Sequence, residues 1–243
     1  ARMMRVVRRR TGVERVGLLG YCIGGTLTAI HAALHDDVAA LVNLAGPIDF
    51  GHAGLLGQLV DPRWFDAEAI VAAGNLSAPQ MQSGFVTLRP TGQLGKWVVK
   101  ADRMLEPDAD RRERGLDSFE RLEAWASDNV PFPAAAYTTW IRDFYQRNDL
   151  VGGRHHVAGE RVDLGRIRAP LLTIVAERDA ICPPAAATAL HDRCKATGAE
   201  VLSVPGGHVG AVVGNRAARV LYPAIAAFFG RHLGVVQRAD AAA

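Results

Sequence analysis

The sequence predicts an α/β fold, a mostly parallel sheet with flanking helices and a helical segment inserted into it. Three observations carry that expectation. Near-continuous apolar runs at 16–19, Val38–Leu44 and Leu171–Ala176 are what strands covered on both faces look like. Segments with helical spacing of apolar residues follow the strand-like runs, so the two periods alternate along the chain. With 49% hydrophobic and 22% charged residues over 243 positions, the chain can bury a substantial core.

Taken in order, Val16-Gly17-Leu18-Leu19 ends in Gly20, and Gly24-Gly25 open a segment where Leu27, Ile30, Ala33 and Leu34 recur at helical spacing. This reads as strand, tight turn and helix. Val38–Leu44 is the next strand, closed by Ala45-Gly46-Pro47, and strand–helix–strand is the crossover unit of a parallel sheet. Between about 49 and 162 the pattern changes. Trp64, Trp97, Trp125 and Trp140 all fall there, and Pro62, Pro79, Pro90, Pro107, Pro131 and Pro133 interrupt several short helical stretches. The strand pattern resumes at Leu171–Ala176, followed by a helix starting near Pro183 and Pro184, where proline is tolerated in a first turn. Glu200–Val204 is a further strand, Pro205-Gly206-Gly207 a turn, and 216–233 a long amphipathic helix. The expected organisation is a sheet domain formed by 1–48 and 163–234, a helical cap over 49–162, and a frayed tail at 235–243.

The formal net charge is only +3, and Lys96, Lys100 and Lys195 are the only lysines. This is no nucleic-acid footprint. The basic run Arg8-Arg9-Arg10, with Arg2 and Arg5 before it, reads as the polar face of a helix. Cys22, Cys182 and Cys194 form an odd set without a C-x-x-C pair, which suggests neither a disulfide framework nor a zinc site and fits a reducing, cytoplasmic setting. No apolar run approaches the roughly 18 residues of a membrane span, and the N-terminal stretch lacks a secretion-signal pattern.

The chemistry concentrates at Gly20-Tyr21-Cys22-Ile23-Gly24-Gly25. A nucleophile elbow needs small residues two positions either side of the nucleophile, because a strained strand-to-helix turn crowds its own backbone. Gly20 and Gly24 occupy those positions, Cys22 the tip, and the Ile23 N–H points to where an oxyanion would form. Alone, Cys22 would read as a structural cysteine in a glycine-rich turn. It is joined by Asp179 after the strand at 171–176 and His208 after the strand at 200–204, in the chain order nucleophile, acid, histidine of an α/β-hydrolase triad. Both follow strands, at the carboxyl edge where open α/β sheets place their sites. His31, His35 and His191 read as solvated residues of helices, and His155 and His156 as loop residues without carboxylate company. No metal-ligand spacing or phosphate-binding glycine loop emerges. A thiolate exchanges one thioester for another at little cost, which suits acyl transfer to an alcohol better than hydrolysis.

The elbow box resembles the G-x-C-x-G-G box of polyhydroxyalkanoate synthases and is also similar to that of dienelactone hydrolases. The segment Trp140-Ile-Arg-Asp-Phe-Tyr-Gln-Arg-Asn148 resembles a cap segment of the synthases, residues 174–184 their acid loop, and Pro205-Gly-Gly-His-Val-Gly210 the histidine loop of the two-subunit type. Over 150 residues separate Cys22 from Asp179, room for a cap that the compact dienelactone hydrolases lack.

The resemblance implies an acyltransferase that polymerises 3-hydroxyacyl-coenzyme A into polyester and releases coenzyme A, with no cofactor beyond the coenzyme A of the substrate. Cys22 would carry the acyl group and His208 would take its proton, while Asp179 would either orient His208 or help activate the incoming 3-hydroxyl. A homodimer or a second synthase subunit, and a cytoplasmic place at polyester granules, are further implications. Two departures stand out. Ala180 follows the acid where the synthases usually carry histidine, and the chain starts about one strand before the elbow, as in the carboxyl-terminal part of a longer synthase without its upstream strands and second oxyanion donor. The competing expectations are a cysteine hydrolase of esters or lactones and an inactive fragment or partner subunit that binds polyester or a synthase.

Overall fold

The computed structural model describes residues 2–88 and 92–233. The expected tail at 235–243 lies outside the described residues. The chain forms two compact units, one made of Ala1–Asp61 with Asp143–Ala243 and the other of Pro62–Arg142. The segment expected as a cap, 49–162, thus contains all of the second unit, while its two ends pack with the first.

The first unit begins with helix α1 (Arg2–Thr11), whose arginines are largely exposed and whose Met4 is buried. Strand β1 (Val16–Tyr21), helix α2 (Ile23–Leu34) and strand β2 (Val38–Leu44) follow, then a 3-10 turn at Phe50–His52 and helix α3 (Gly54–Leu59). The second unit holds α4 (Ala67–Ile70), α5 (Ala78–Leu88), α6 (Gly92–Met104), α7 (Ala109–Ser127) and α8 (Ala134–Thr139). Asp66 and Asp108 cap α4 and α7 by accepting hydrogen bonds from first-turn amides, which have no acceptor inside the helix. Within this unit Leu76 and Phe132 bridge by two backbone hydrogen bonds.

The first unit resumes at Asp143, within a π-helical stretch at Trp140–Gln146, and goes on to a small hairpin, β3 (His156–Val157) and β4 (Glu160–Arg161). It continues through β5 (Leu171–Ala176), α9 (Pro184–Arg193), β6 (Glu200–Val204), α10 (Gly214–Arg216) and α11 (Tyr222–Leu233). The main sheet has the order β1-β2-β5-β6 and every pairing in it is parallel.

Side chains alternate across this sheet. Ala40, Val42 and Leu44 of β2 and Leu172, Ile174 and Ala176 of β5 pack with Leu221 and Phe228. On β5, Val175 packs instead with Cys182, Ala186 and Ala187 at the start of α9. Both faces are covered, so β2 and β5 carry no polar alternation and appear in the sequence as continuous apolar runs. Gly17 has a specific role here, since a Cβ would sit 2.8 Å from Phe229 and Leu233, and its absence lets α11 approach β1.

One expected helix is interrupted. The stretch 216–233 is α10 and α11 joined by a π-helical turn, Ala217–Leu221. Pro223 has no N–H for the carbonyl four residues back, and its ring crowds that carbonyl, so the preceding turn widens.

Candidate active site

Strand β1 ends at Tyr21 and helix α2 begins at Ile23, which leaves Cys22 alone to turn the chain. Its φ of 55° and ψ of −126° lie in a region that L residues rarely adopt. The turn is held from both sides. The Cys22 N–H donates to the Leu44 carbonyl at 3.0 Å, and the Cys22 carbonyl accepts from Gly25 N–H at 2.9 Å.

A Cβ on Gly20 would collide with the Gly24 carbonyl and with Thr28 Oγ1, so strand and helix can meet this closely only with glycine at position 20. At Gly24 a Cβ would meet open space, whereas at Gly25 it would collide with Asn43 Oδ1 and come within 2.8 Å of Gly46 Cα. The crowding that spacing places on Gly20 and Gly24 therefore falls on Gly20 and Gly25. Asn43 is fixed there by donating through Nδ2 to the Gly46 carbonyl at 3.0 Å. Ile23 opens α2 directly after Cys22, and first-turn amides have no acceptor within their own helix, so its N–H is left without an intrahelical partner.

Asp179 follows β5 in a turn closed by its own N–H to the Ala176 carbonyl, and its side chain is fully buried. Oδ1 accepts from the amides of Ile181 and Cys182, both at 2.9 Å, and Oδ2 lies 2.7 Å from His208 Nδ1. This arrangement places a proton on Nδ1 and leaves Nε2 for other chemistry. The two loops are tied by backbone as well, since Arg178 N–H donates to the Gly206 carbonyl at 2.8 Å.

His208 is buried, and its Nε2 is closed to solvent without a well-formed hydrogen bond. Burial opposes charge on the ring, but the bond to Asp179 and the interaction with the Cys22 thiol outweigh it and raise the pKa to about 9. Cys22 is half-buried. Cys182 is 1% exposed, and burial first, then the interactions with nearby Asp179 and Cys22, push its thiol well up. A buried thiol held protonated is a poor nucleophile, so of these two cysteines Cys22 is the candidate.

The loop carrying His208 has two further anchors that spacing did not reveal. Tyr21 stacks on the His208 ring, centroids 5.0 Å apart at 23°, and its hydroxyl donates to the His208 carbonyl at 3.1 Å. Tyr222 donates to the Val212 carbonyl at 2.8 Å. Tyr21 and His208 are far apart in sequence, and the one visible signal was an aromatic residue beside Cys22.

Two expectations about the other histidines change. His31 is not solvated. Its Nε2 lies 2.8 Å from Asp37 Oδ1 and its ring packs on His35, because α2 ends close to Asp37. His191 Nε2 is likewise buried. His155 lies edge-on to Phe144, near enough to Asp143 and Asp149 to feel their charge, although burial is the larger effect and lowers its pKa. Among the described residues no group of three or more histidines, cysteines and carboxylates could hold a metal ion. Likewise, no described helix is long and apolar enough to cross a membrane.

The chain is similar to curated poly(3-hydroxyalkanoate) polymerase subunits PhaC. It is 34% identical over 224 residues to that of Allochromatium vinosum, covering 90% of this chain and 61% of the relative. It is 34% identical over 233 residues to that of Synechocystis, covering 91% and 59%, and 31% identical over 227 residues to that of Haloferax mediterranei, covering 92% and 45%. The chain thus spans about half to three fifths of these relatives' length.

Among solved structures, a hydrolase from Pseudomonas aeruginosa aligns with a TM-score of 0.55 at 19% identity, over 94% of this chain and 70% of that one. A monoacylglycerol lipase from Paleococcus ferrophilus gives 0.56 at 16%, over 95% and 74%. At such identities these two speak for the fold alone. The alpha/beta hydrolase fold profile matches residues 1–214, and with the parallel sheet and the elbow it establishes that the chain belongs to the alpha/beta hydrolase fold family.

Proposed function

We propose that this chain carries the acyl-transfer site of a poly(3-hydroxyalkanoate) synthase, with Cys22 as nucleophile, His208 as general base and acid, and Asp179 as the partner of His208. The observation that carries the reading is a thiol on a strained elbow beside an imidazole whose other nitrogen is held at 2.7 Å by a buried carboxylate. Similarity to the polymerase subunits supplies the substrate class, a 3-hydroxyacyl-coenzyme A.

In the first half-reaction His208 Nε2 takes the Cys22 proton and the thiolate adds to the substrate carbonyl. The Ile23 N–H stabilises the resulting oxyanion. Collapse breaks the bond to the coenzyme A sulfur, which leaves with the proton from His208, and the acyl group remains on Cys22 as a thioester. In the second half-reaction the 3-hydroxyl of another acyl unit gives its proton to His208 and attacks that thioester. An ester forms, and the Cys22 thiolate departs and is reprotonated.

Asp179 acts by orienting His208, since both of its oxygens are already engaged, Oδ1 by two amides and Oδ2 by Nδ1. Direct activation of the hydroxyl by Asp179 would require breaking one of those bonds. The requirement for a second subunit and location at polyester granules stay with the family resemblance.

The test is to incubate the chain with 3-hydroxybutyryl-coenzyme A and to follow both free coenzyme A and polymer. Release accompanied by polymer, abolished by Cys22→Ala, is the expected result. Release accompanied by free 3-hydroxybutyrate would replace the synthase reading with a hydrolase, and activity that persists in Cys22→Ala would refute the assignment of the nucleophile.

A further inference from the structure

The loop bearing His208 is poorly suited to hold a catalytic ring by itself. It runs Pro205-Gly206-Gly207-His208-Val209-Gly210, with Gly206 at a φ of 132°, and glycines leave a backbone its widest freedom. Asp179 fixes one ring nitrogen, but a single hydrogen bond to an imidazole leaves the ring plane free to rock about that bond.

Tyr21 supplies what is missing. Its ring lies nearly parallel to the imidazole at 5.0 Å, which fixes the plane, and its hydroxyl grips the His208 carbonyl at 3.1 Å, which fixes the backbone. The tyrosine is itself anchored. It is the last residue of β1, paired in register with Leu44, and it packs against the core cluster that includes Val204 and Ala211. Burial, then the interactions with nearby Cys22 and Asp179, push its pKa up, so it remains a donor throughout the working range.

We propose that Tyr21 is the positioning residue of the site, setting both the plane and the backbone position of His208 relative to the adjacent Cys22. The inference rests on the acyl-transfer reading for its purpose, but its geometry does not depend on turnover. Because Tyr21 and Cys22 are consecutive, the distance from nucleophile to base is set through one peptide unit and one aromatic contact. It does not depend on the long covalent path from Cys22 to His208. The electron-rich ring face also favours the imidazolium that forms each time Cys22 gives up its proton.

Two variants separate the two contacts, Tyr21→Phe removing the hydroxyl and keeping the stack, and Tyr21→Leu removing both. The readout is the downfield proton resonance of His208 Nδ1–H, identified by its loss in His208→Ala, together with the rate at which iodoacetamide alkylates Cys22. In Tyr21→Phe the resonance should remain while its exchange with water speeds up several-fold. In Tyr21→Leu it should broaden away, and Cys22 alkylation near neutral pH should fall about tenfold, a part of the roughly 10²- to 10⁴-fold that a positioned base contributes.

If Tyr21→Leu does not fold, the exchange rate in Tyr21→Phe decides the matter. An unchanged exchange rate in Tyr21→Phe, or an unchanged resonance and alkylation rate in a folded Tyr21→Leu, would overturn the proposal. Neither measurement uses acyl-coenzyme A. A chain that turns over no substrate but shows these shifts would discard the synthase reading and keep the role of Tyr21.

Discussion

Replacing Asp179 by Asn changes one atom and should disable the site in a way that pH exposes. The Asn oxygen can keep the two amides that Oδ1 now accepts, but its amide nitrogen then faces His208 Nδ1 across 2.7 Å, donor against donor. To avoid the clash the imidazole must move its proton to Nε2, and there it can no longer take a proton from Cys22. A wrong tautomer of this kind costs about 10⁴-fold in turnover.

The stability effect follows from linkage. The folded His208 pKa is about 9 against an ordinary 6.5, so the stabilisation it represents is fully present below pH 6.5 and is lost as pH rises through about 9. A rise of that size corresponds to about 3 kcal/mol, supplied by Asp179 and Cys22 together. Urea unfolding of the wild type and Asp179→Asn at pH 6 and pH 9.5 should therefore show a larger gap at pH 6. An equal gap at both values, or a larger one at pH 9.5, would refute the reasoning.

Gly20→Ala should destabilise by about 2 kcal/mol or more in urea melts, because its Cβ meets the Gly24 backbone, and Gly24→Ala should be tolerated where Gly25→Ala is not. Peptide mapping after brief treatment with iodoacetamide at pH 8 should find Cys22 modified and Cys182 intact. The opposite order would contradict the burial that pushes the Cys182 thiol up. Arg231→Ala removes a bidentate pair with Glu200, but both side chains are about half exposed, so the melting curve should move by less than about 1 kcal/mol.

The parts legible in the sequence were those with a local signature. β2 and β5 announce themselves because burial on both faces removes polar alternation, and the elbow announces itself because its glycines lie within five residues of one another. Asp179 and His208 were legible because each follows a recognisable strand. The rest depends on contacts between distant segments. Nothing near Tyr21 signals that its partner is His208, and nothing around His31 shows that α2 ends beside Asp37. That Gly25, and not Gly24, meets a neighbour follows from Asn43 on another strand. The π-helical turn before Tyr222 had a local cause in Pro223, but a proline near a helix start is equally compatible with an ordinary first turn.

The backbone at Cys22 has a consequence beyond geometry. At a φ of 55° glycine would be at ease, whereas a cysteine there carries about 1–3 kcal/mol of strain. At pH 9.5, where the His208 contribution is lost, Cys22→Gly should therefore melt at a higher temperature than the wild type while losing the thiol altogether. Position 22 is a place where selection for stability and selection for reactivity pull in opposite directions. A library screened only for thermal tolerance would be expected to discard this residue among the first.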